Sequence, residues 1–265
     1  FSDDKNQKIL SVKNLYKYYS TSKSLFSNKN DFCALKNLNF DVFEGETLGV
    51  IGESGSGKST LSNVLLKVCN SDRGNVYYKE NEISKLNGKT LDEFRNQVQA
   101  IFQDPSASLN PNQTVEKILS EGIRYHKILE SKNEIKSRVI ELLDNVNLDE
   151  TYLERYPHQL SGGQKQRLCI ARAISLNPKL IICDEAVSAL DISTQNTIIK
   201  LLNKLKKQLK LSYLFITHDL SVARLIADRI LVLKKGEIVE LNTAEKIFKS
   251  PKNRYTKKLI SALDF

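Results

Sequence analysis

The residues with the clearest chemistry form a glycine-rich run, GESGSGKS, at positions 52–59. The run fits the phosphate-loop pattern G-x-x-x-x-G-K-[ST], in which the glycines let the backbone curl so that several N–H groups point inward. Lys58 is expected to reach the β- and γ-phosphates of a nucleoside triphosphate, and the Ser59 hydroxyl to ligate Mg²⁺. The alternative is a glycine-rich turn without a ligand. The positions expected to bind the nucleotide here are Gly52, Ser54, Gly55, Gly57, Lys58, Ser59 and Thr60.

Two carboxylates follow the apolar run LIIC at 180–183, which is typical of a strand buried on both faces. Asp184, at the carboxyl end of that strand, is expected to bind Mg²⁺ through its water and to accept a hydrogen bond from Ser59. Glu185, one residue further out, is placed to polarise an attacking water. The alternative is an acidic pair that caps the next helix.

Gln103 and His218 each follow a predicted strand. The Gln103 amide can contact Mg²⁺ or the attacking water at the hinge of the helical segment that follows. His218 comes after a strand predicted to run parallel to the one that ends at Asp184, so it should emerge at the same ligand-binding edge and can hydrogen-bond the γ-phosphate. Standing alone, an ordinary loop glutamine and a structural histidine would be the simpler interpretations.

A second helix start, LSGGQ at 160–164, combines a serine with two glycines. Exposed N–H groups at a helix N-terminus bind anions, so Ser161 and Gly163 mark a second phosphate site. One γ-phosphate does not need two such loops from one chain, which predicts that this loop acts on the nucleotide of another subunit. The alternative is a helix start that Ser161 simply caps.

Composition narrows the class of protein. Of 265 residues, 40% are apolar and 27% charged, which is ordinary globular composition. Apolar runs are too short for a membrane span. The net charge of +9 could favour nucleic acid or an anionic membrane, but the lysines are scattered, which favours a solvated surface. The four cysteines show no C-x-x-C spacing, so free thiols are expected and no metal cluster is indicated.

The chain order predicts strands on both sides of the phosphate loop and hence an antiparallel sheet beside a nucleotide-binding core. From 104 to about 156 the pattern is helical and mostly polar, which indicates a helical insertion. After Gly163 strands and helices alternate again. We therefore expect one domain over 1–265, with a helical subdomain at about 104–160 and a short helical tail at about 243–265.

Taken together, the motifs occur in the order found in ABC-transporter ATPase subunits, which this chain resembles. They are GESGSGKS at 52–59, Gln103, LSGGQ at 160–164, LIICDE at 180–185, SALD at 188–191 and His218. The resemblance implies an α/β fold with a RecA-like P-loop NTPase core, an antiparallel β subdomain and an inserted helical subdomain. It also implies that Asp191 contacts a second subunit and that Tyr19 stacks on adenine, with Tyr18 as the near alternative.

A narrower resemblance is to the oligopeptide and dipeptide permease branch. The matching segments are GVIGESG at 49–55, FQDPSASLNP at 102–111, YPHQ at 156–159, EAVSALDIS at 185–193 and SPKNRYT at 250–256. Many members of that branch carry a cysteine-containing C-terminal extension, whereas no cysteine follows Cys183 here.

That resemblance implies an ATP- and Mg²⁺-dependent ATPase at the cytoplasmic face of the cell membrane. Its partners would be a second ATPase subunit (a copy or a paralogue), two integral membrane permease subunits and, indirectly, an extracytoplasmic solute-binding protein, with no nucleic acid. The alternatives are an importer of nickel or another solute and a non-transport ABC ATPase acting on nucleic acid or ribosomes. A phosphate-loop kinase would leave LSGGQ unexplained.

Overall fold

The computed structural model describes residues 7–20 and 31–262. Its contacts divide the chain into two compact units: Phe1–Phe94 with Ser212–Phe265, here the first unit, and Arg95–Leu211, the second unit. From its polar composition the sequence predicts a loose segment at 1–8 and a loop at 20–30, and residues 1–6 and 21–30 lie outside the described residues. The bounds of the helical subdomain stay a prediction, although its helices all fall in the second unit.

The elements are strands before residue 57 and helices between 105 and 174, and strands and helices alternate from 180 to 234. In chain order they are β1 (Lys8–Ser20), β2 (Asp31–Phe43), β3 (Thr47–Ile51), α1 (Lys58–Leu65), β4 (Arg73–Tyr78), β5 (Asn81–Glu82), α2 (Gly88–Gln97), β6 (Val98–Phe102), α3 (Pro105–Ser108), α4 (Val115–Tyr125), α5 (Lys132–Asn145), α6 (Gly162–Ile174), β7 (Leu180–Asp184), α7 (Ile192–Leu209), β8 (Ser212–Thr217), α8 (Leu220–Ile226), β9 (Arg229–Lys234), β10 (Glu237–Thr243), α9 (Ala244–Lys249) and α10 (Arg254–Ser261). Among these helices, none has the length and apolarity needed to cross a membrane.

The predicted antiparallel sheet is confirmed in the first unit. It has the order β2-β1-β4-β5, and all of its pairings are antiparallel. Strand β1 buries Ile9, Leu10, Val12 and Leu15 and leaves its last residues exposed. The buried half fixes the strand in the sheet, and the other half remains accessible to a ligand.

The parallel part of the first unit is built around β3. This strand pairs in parallel with β8 on one side and β9 on the other, and β10 adds to β9 in the antiparallel sense. Every residue of β3 and β8 is buried, as expected for parallel strands covered on both faces. The side chains of Ile51, Ile230 and Val232 form a core with Ile247 and Tyr255 from the tail helices. The carboxyl end of β3 is therefore held by neighbours on both sides.

The second unit combines the parallel pair β6 and β7 with helices. From the sequence alone, apolar residues at i, i+3 and i+4 spacing predict one buried stripe on each of the helices α4, α5 and α7, and the structure buries nearly all of these residues. The buried ones are Val115, Ile118 and Leu119 in α4, Ile135, Val139, Leu142 and Leu143 in α5, and Ile198, Leu201, Leu202 and Leu205 in α7. Leu209, the fifth residue predicted for the α7 stripe, is only half-buried at the end of the helix. The predicted fold class, an α/β core with an additional antiparallel sheet, is confirmed.

Candidate nucleotide-binding site

The phosphate loop connects buried β3 to the start of α1. A β-carbon at Gly52 would lie 2.2 Å from the backbone oxygen of Leu233, so no other residue fits there without moving β9. Gly57 has φ of +108° and a β-carbon there would lie 2.7 Å from the oxygen of Ala34. Left-handed backbone at such close quarters favours glycine. These two glycines of the pattern thus lie where the loop packs closely against β9 on one side and against Ala34 on the other.

Lys58 folds back over the loop that precedes it. Its ammonium donates to the backbone oxygens of Gly52 at 2.8 Å and Glu53 at 3.0 Å, and the residue is only 6% exposed. A positive charge is therefore fixed at the loop rather than extended into solvent.

The start of α1 fits a phosphate group. Gly57 offers no side-chain cap, and the first turn carries no acidic residue that would compete with an anion. The hydroxyl of Ser56 is buried and has no hydrogen-bond partner among the described residues, while Ser59 is exposed. The uncapped N–H groups and the fixed ammonium together form an anion cradle.

The parallel register brings His218 to the edge of the sheet where the phosphate loop begins. Ile51, the last residue of β3, pairs with Thr217, the last residue of β8. His218 comes next and is exposed, just as Gly52 comes next after Ile51. Asp219 then caps α8 by accepting from the backbone N–H of Ser221 at 2.8 Å, so the histidine sits at a tight strand-to-helix turn.

The two candidate adenine-stacking tyrosines have different surroundings at the end of β1. Tyr18 is half-buried and stacks on Tyr16, with ring centroids 6.3 Å apart and planes 5° apart. Tyr19 is 41% exposed, and the ammonium of Lys17 lies 5.6 Å from its ring centroid. Of the two rings, that of Tyr19 is the more exposed.

In the second unit, the register of β6 and β7 brings three predicted site residues to one sheet edge. Phe102 pairs with Asp184, the last residue of β7. Gln103 and Glu185 come directly after the ends of β6 and β7, and the structure therefore brings Gln103, Asp184 and Glu185 to this edge. Gln103 is exposed, and the two carboxylates are half-buried.

Glu185 has an unusual backbone. Its φ is +50°, a left-handed conformation that non-glycine residues adopt only where their surroundings hold them. Ser188 provides such a restraint, because its hydroxyl donates to the backbone oxygen of Glu185 at 2.9 Å and its N–H donates to the same oxygen at 3.1 Å.

Cys183, one residue before Asp184, is a free thiol whose pKa is raised by complete burial, so it stays neutral.

The second helix start is a capped one. Ser161 accepts from the N–H of Gln164 at 3.3 Å, and the Gln164 side chain accepts from the N–H of Ser161 at 2.9 Å. This reciprocal pair is a capping box. A β-carbon at Gly163 would lie 2.9 Å from the Thr194 methyl group, so glycine is needed for contact with α7. Ser161 therefore caps α6 in this chain. The residue is nevertheless exposed, so capping does not prevent it from contacting a ligand.

Asp191 caps α7. Its carboxylate accepts from the N–H of Thr194 at 2.9 Å and from the Thr194 hydroxyl at 2.7 Å. The side-chain and backbone hydrogen bonds from Thr194 hold the pKa of Asp191 below its usual range. Sequence reasoning did not find this role, although an aspartate three residues before a threonine at the start of an apolar stripe is a helix-start signal.

Two further sets of contacts at the site were missed. Helix α6 holds the segment after Gln103, because Lys165 donates to the Ser106 hydroxyl at 3.2 Å and Arg172 donates to the Ser108 backbone oxygen. In the first unit, the Glu53 N–H donates to the Tyr255 hydroxyl at 3.3 Å. Contacts across such sequence distances leave no local signal.

The comparisons with known proteins agree with this geometry. The model of the ABC transporter family matches residues 35–188. The oligopeptide transport ATP-binding protein OppF of Streptococcus mutans is 44% identical over 98% of this chain and 83% of its own length. The dipeptide transport ATP-binding protein DppF of Lactococcus lactis is 40% identical over 97% of this chain and 81% of its own length.

A solved structure is similar over most of the chain. It is a dimeric ATP-binding cassette in a post-hydrolysis state, bound to ADP and Pi. It has a TM-score of 0.78 and 32% identity, over 89% of this chain and 98% of its own. The likeness in fold thus covers most of this chain.

Proposed function

This chain belongs to the ABC transporter family of ATP-hydrolysing subunits, and we propose that it powers the import of oligopeptides or dipeptides through separate membrane subunits. The observation that carries the proposal is near-full-length similarity to an oligopeptide and a dipeptide transport ATP-binding protein, combined with a loop shaped to hold phosphate. Membership of the family supports ATP as the nucleotide, and the names of the two relatives support a peptide as the transported solute.

In the proposed mechanism the phosphate loop binds the triphosphate. The N–H groups at the uncapped start of α1 surround the phosphates, with Gly55 and Gly57 providing left-handed turns. The Lys58 ammonium turns from the loop oxygens toward the β- and γ-phosphates and neutralises them. The exposed ring of Tyr19 stacks on adenine. The remaining loop positions, Ser54 and Thr60, take part through their backbone.

The proposed hydrolytic residues lie at the strand ends. Glu185 orients and deprotonates the attacking water, Gln103 contacts that water, and His218 hydrogen-bonds the γ-phosphate. Ser59 and Asp184 offer a hydroxyl and a carboxylate, the hard oxygen donors that Mg²⁺ prefers. When bound, Mg²⁺ would neutralise charge that develops on the phosphate oxygens.

We further propose that a second ATPase subunit, a copy or a paralogue, completes each site. Ser161, Gly163 and Asp191 would face the partner's nucleotide. The dimeric form of a similar cassette supports this arrangement. Two membrane permease subunits and a solute-binding protein would be the remaining partners, which implies a peripheral position at the inner face of the membrane.

Reconstitution tests the cargo. The chain, its partner ATPase and the permease subunits are placed in vesicles with ATP on the side of the ATPases and the solute-binding protein on the opposite side. Uptake of a radiolabelled peptide is then compared with uptake of a nickel chelate. We expect ATP-dependent uptake of the peptide alone, lost with Glu185→Gln. Uptake of nickel without peptide would assign the other solute of this branch, and ATP hydrolysis without uptake of either would contradict the importer proposal.

A further inference from the structure

A pocket of about 850 Å³ lies beside the tail helix α10 in the first unit. Four cationic side chains and one carboxylate line it, together with Asn253, Tyr255 and Ser261. The charged residues are Lys234, Arg254, Lys257, Lys258 and Glu53. The pocket thus carries three more positive charges than negative ones, in a volume that suits a small ligand.

The periodicity of α10 explains why its cations converge. Arg254, Lys257 and Lys258 stand at i, i+3 and i+4 and so share one face of the helix. Tyr255 is 8% exposed and packs with Leu259 against the core on another side. The helix is therefore anchored by its apolar residues while its basic face is directed at the pocket.

These cations lack acidic partners. Helix α10 contains no aspartate or glutamate, and over residues 7–20 and 31–262 none of Lys234, Arg254, Lys257 and Lys258 forms an ion pair. Like charges three and four residues apart destabilise a helix. A ligand with several negative charges would relieve the repulsion between these cations. A ligand with a single carboxylate would leave most of that repulsion in place.

We propose that this basic pocket binds a phosphate-bearing anion. The planar guanidinium of Arg254 and the ammonium groups of the lysines match phosphate oxygens in geometry and charge. The ligand is either a soluble phosphate compound or a phospholipid headgroup, which present the same chemistry.

The pocket is separate from the cradle at the start of α1. Of the phosphate loop only Glu53 contributes to the described lining, and residues 54–59 do not. The two sites are nevertheless adjacent, because the Tyr255 hydroxyl accepts from the Glu53 N–H. Substitutions at Lys257 and Lys258 leave that hydrogen bond and the apolar anchor intact, which makes them suitable probes.

Calorimetric titration with inorganic pyrophosphate tests the proposal, using the full chain saturated with ADP so that the nucleotide site is filled. We expect pyrophosphate to bind, and the double variant Lys257→Gln/Lys258→Gln to weaken its affinity about tenfold or more, since two charge-assisted contacts are lost. The matched control is Lys204→Gln/Lys207→Gln on α7, which removes the same charge from exposed positions outside the pocket. The control should bind pyrophosphate as the unmodified chain does.

Sedimentation with vesicles distinguishes the two sources of phosphate. Binding to phosphatidylglycerol but not phosphatidylcholine, lost in the Lys257/Lys258 variant and without pyrophosphate binding, would identify a lipid headgroup as the ligand. Failure of both probes to bind, or equal weakening by the control, would overturn the proposal. Because neither measurement depends on ATP turnover, the result stands apart from that of the proposed transport function.

Discussion

At the scale of single residues, Lys58 both supplies the positive charge of the phosphate loop and hydrogen-bonds to the loop backbone. Its ammonium already contacts two backbone oxygens of the loop, so truncation removes both a counter-charge and two hydrogen bonds. We expect Lys58→Ala to abolish nucleotide binding or hydrolysis, measured with a fluorescent ATP analogue and by phosphate release. The exposed Lys89→Ala serves as the control. Normal turnover in Lys58→Ala would contradict the phosphate-loop assignment.

Substitution of Glu185 should separate ATP binding from ATP hydrolysis. The Glu185→Gln side chain keeps its size and cannot take up a proton from water, so ATP affinity should be retained while hydrolysis slows by about 10²–10⁴-fold. Equilibrium binding and single-turnover hydrolysis measure the two effects separately. A collapse of ATP affinity with normal turnover per bound ATP would instead make Glu185 a binding residue.

Tyr19 and Tyr18 differ in their surroundings and should differ in effect. Tyr19→Ala is expected to weaken adenine nucleotides by roughly 1–3 kcal/mol, the scale of base–aromatic stacking. Tyr18→Ala should affect binding less, because the Tyr18 ring already stacks on Tyr16. Binding of ATP and of a triphosphate without the base would show whether the loss belongs to adenine. The reverse order of the two variants would show that Tyr18 is the stacking residue.

At the scale of elements, periodicity and caps explain what the sequence could predict. The stripes of α4, α5 and α7 were found because burial follows the helical period. Helix α6 begins at Gly162, within the helix start predicted at 160–164, because Ser161 caps it through a capping box. Helix α2 was missed, since Phe94 is its one buried residue and leaves no stripe to detect.

The site was predictable where it is contiguous and not where it depends on distant contacts. The phosphate loop and the carboxylates after β7 are local patterns. The restraint of the segment after Gln103 by α6, and the contact of Tyr255 with Glu53, join residues far apart in the chain. Which residues make these contacts depends on tertiary packing, and the spacing of residues in the sequence does not reveal it.

The cap of α7 predicts a pH effect. Hydrogen bonds from Thr194 lower the pKa of Asp191 in the folded chain, so its contribution to stability is full above the ordinary aspartate pKa and is lost as pH falls through the lowered value. Asp191→Asn should flatten this acid-side loss, measured as the urea midpoint against pH. An identical acid profile in the variant would show that the cap does not contribute.

At the scale of the whole molecule, the two helix starts that we propose to bind phosphate predict a nucleotide site shared between two subunits. One γ-phosphate does not require both α1 and α6 from the same chain, so each ATP would lie between Lys58 of one subunit and Ser161 of the other. Hydrolysis would remove the bridging γ-phosphate and loosen the contact between the subunits, which is how the chemistry could move the membrane subunits.

Because Ser161 caps α6, the variant that tests this site must preserve the cap. Ser161→Asp does so, since aspartate is among the preferred N-cap residues, and it adds a negative charge that repels the γ-phosphate. A dimer of one Lys58→Ala chain and one Ser161→Asp chain carries both lesions in one ATP site and leaves the other intact. Mixing the two inactive variants should therefore restore ATP hydrolysis, with unchanged thermal unfolding of each variant as the control for folding. If mixing restores nothing while dimers of wild-type and variant chains stay active, each ATP site is built from a single chain.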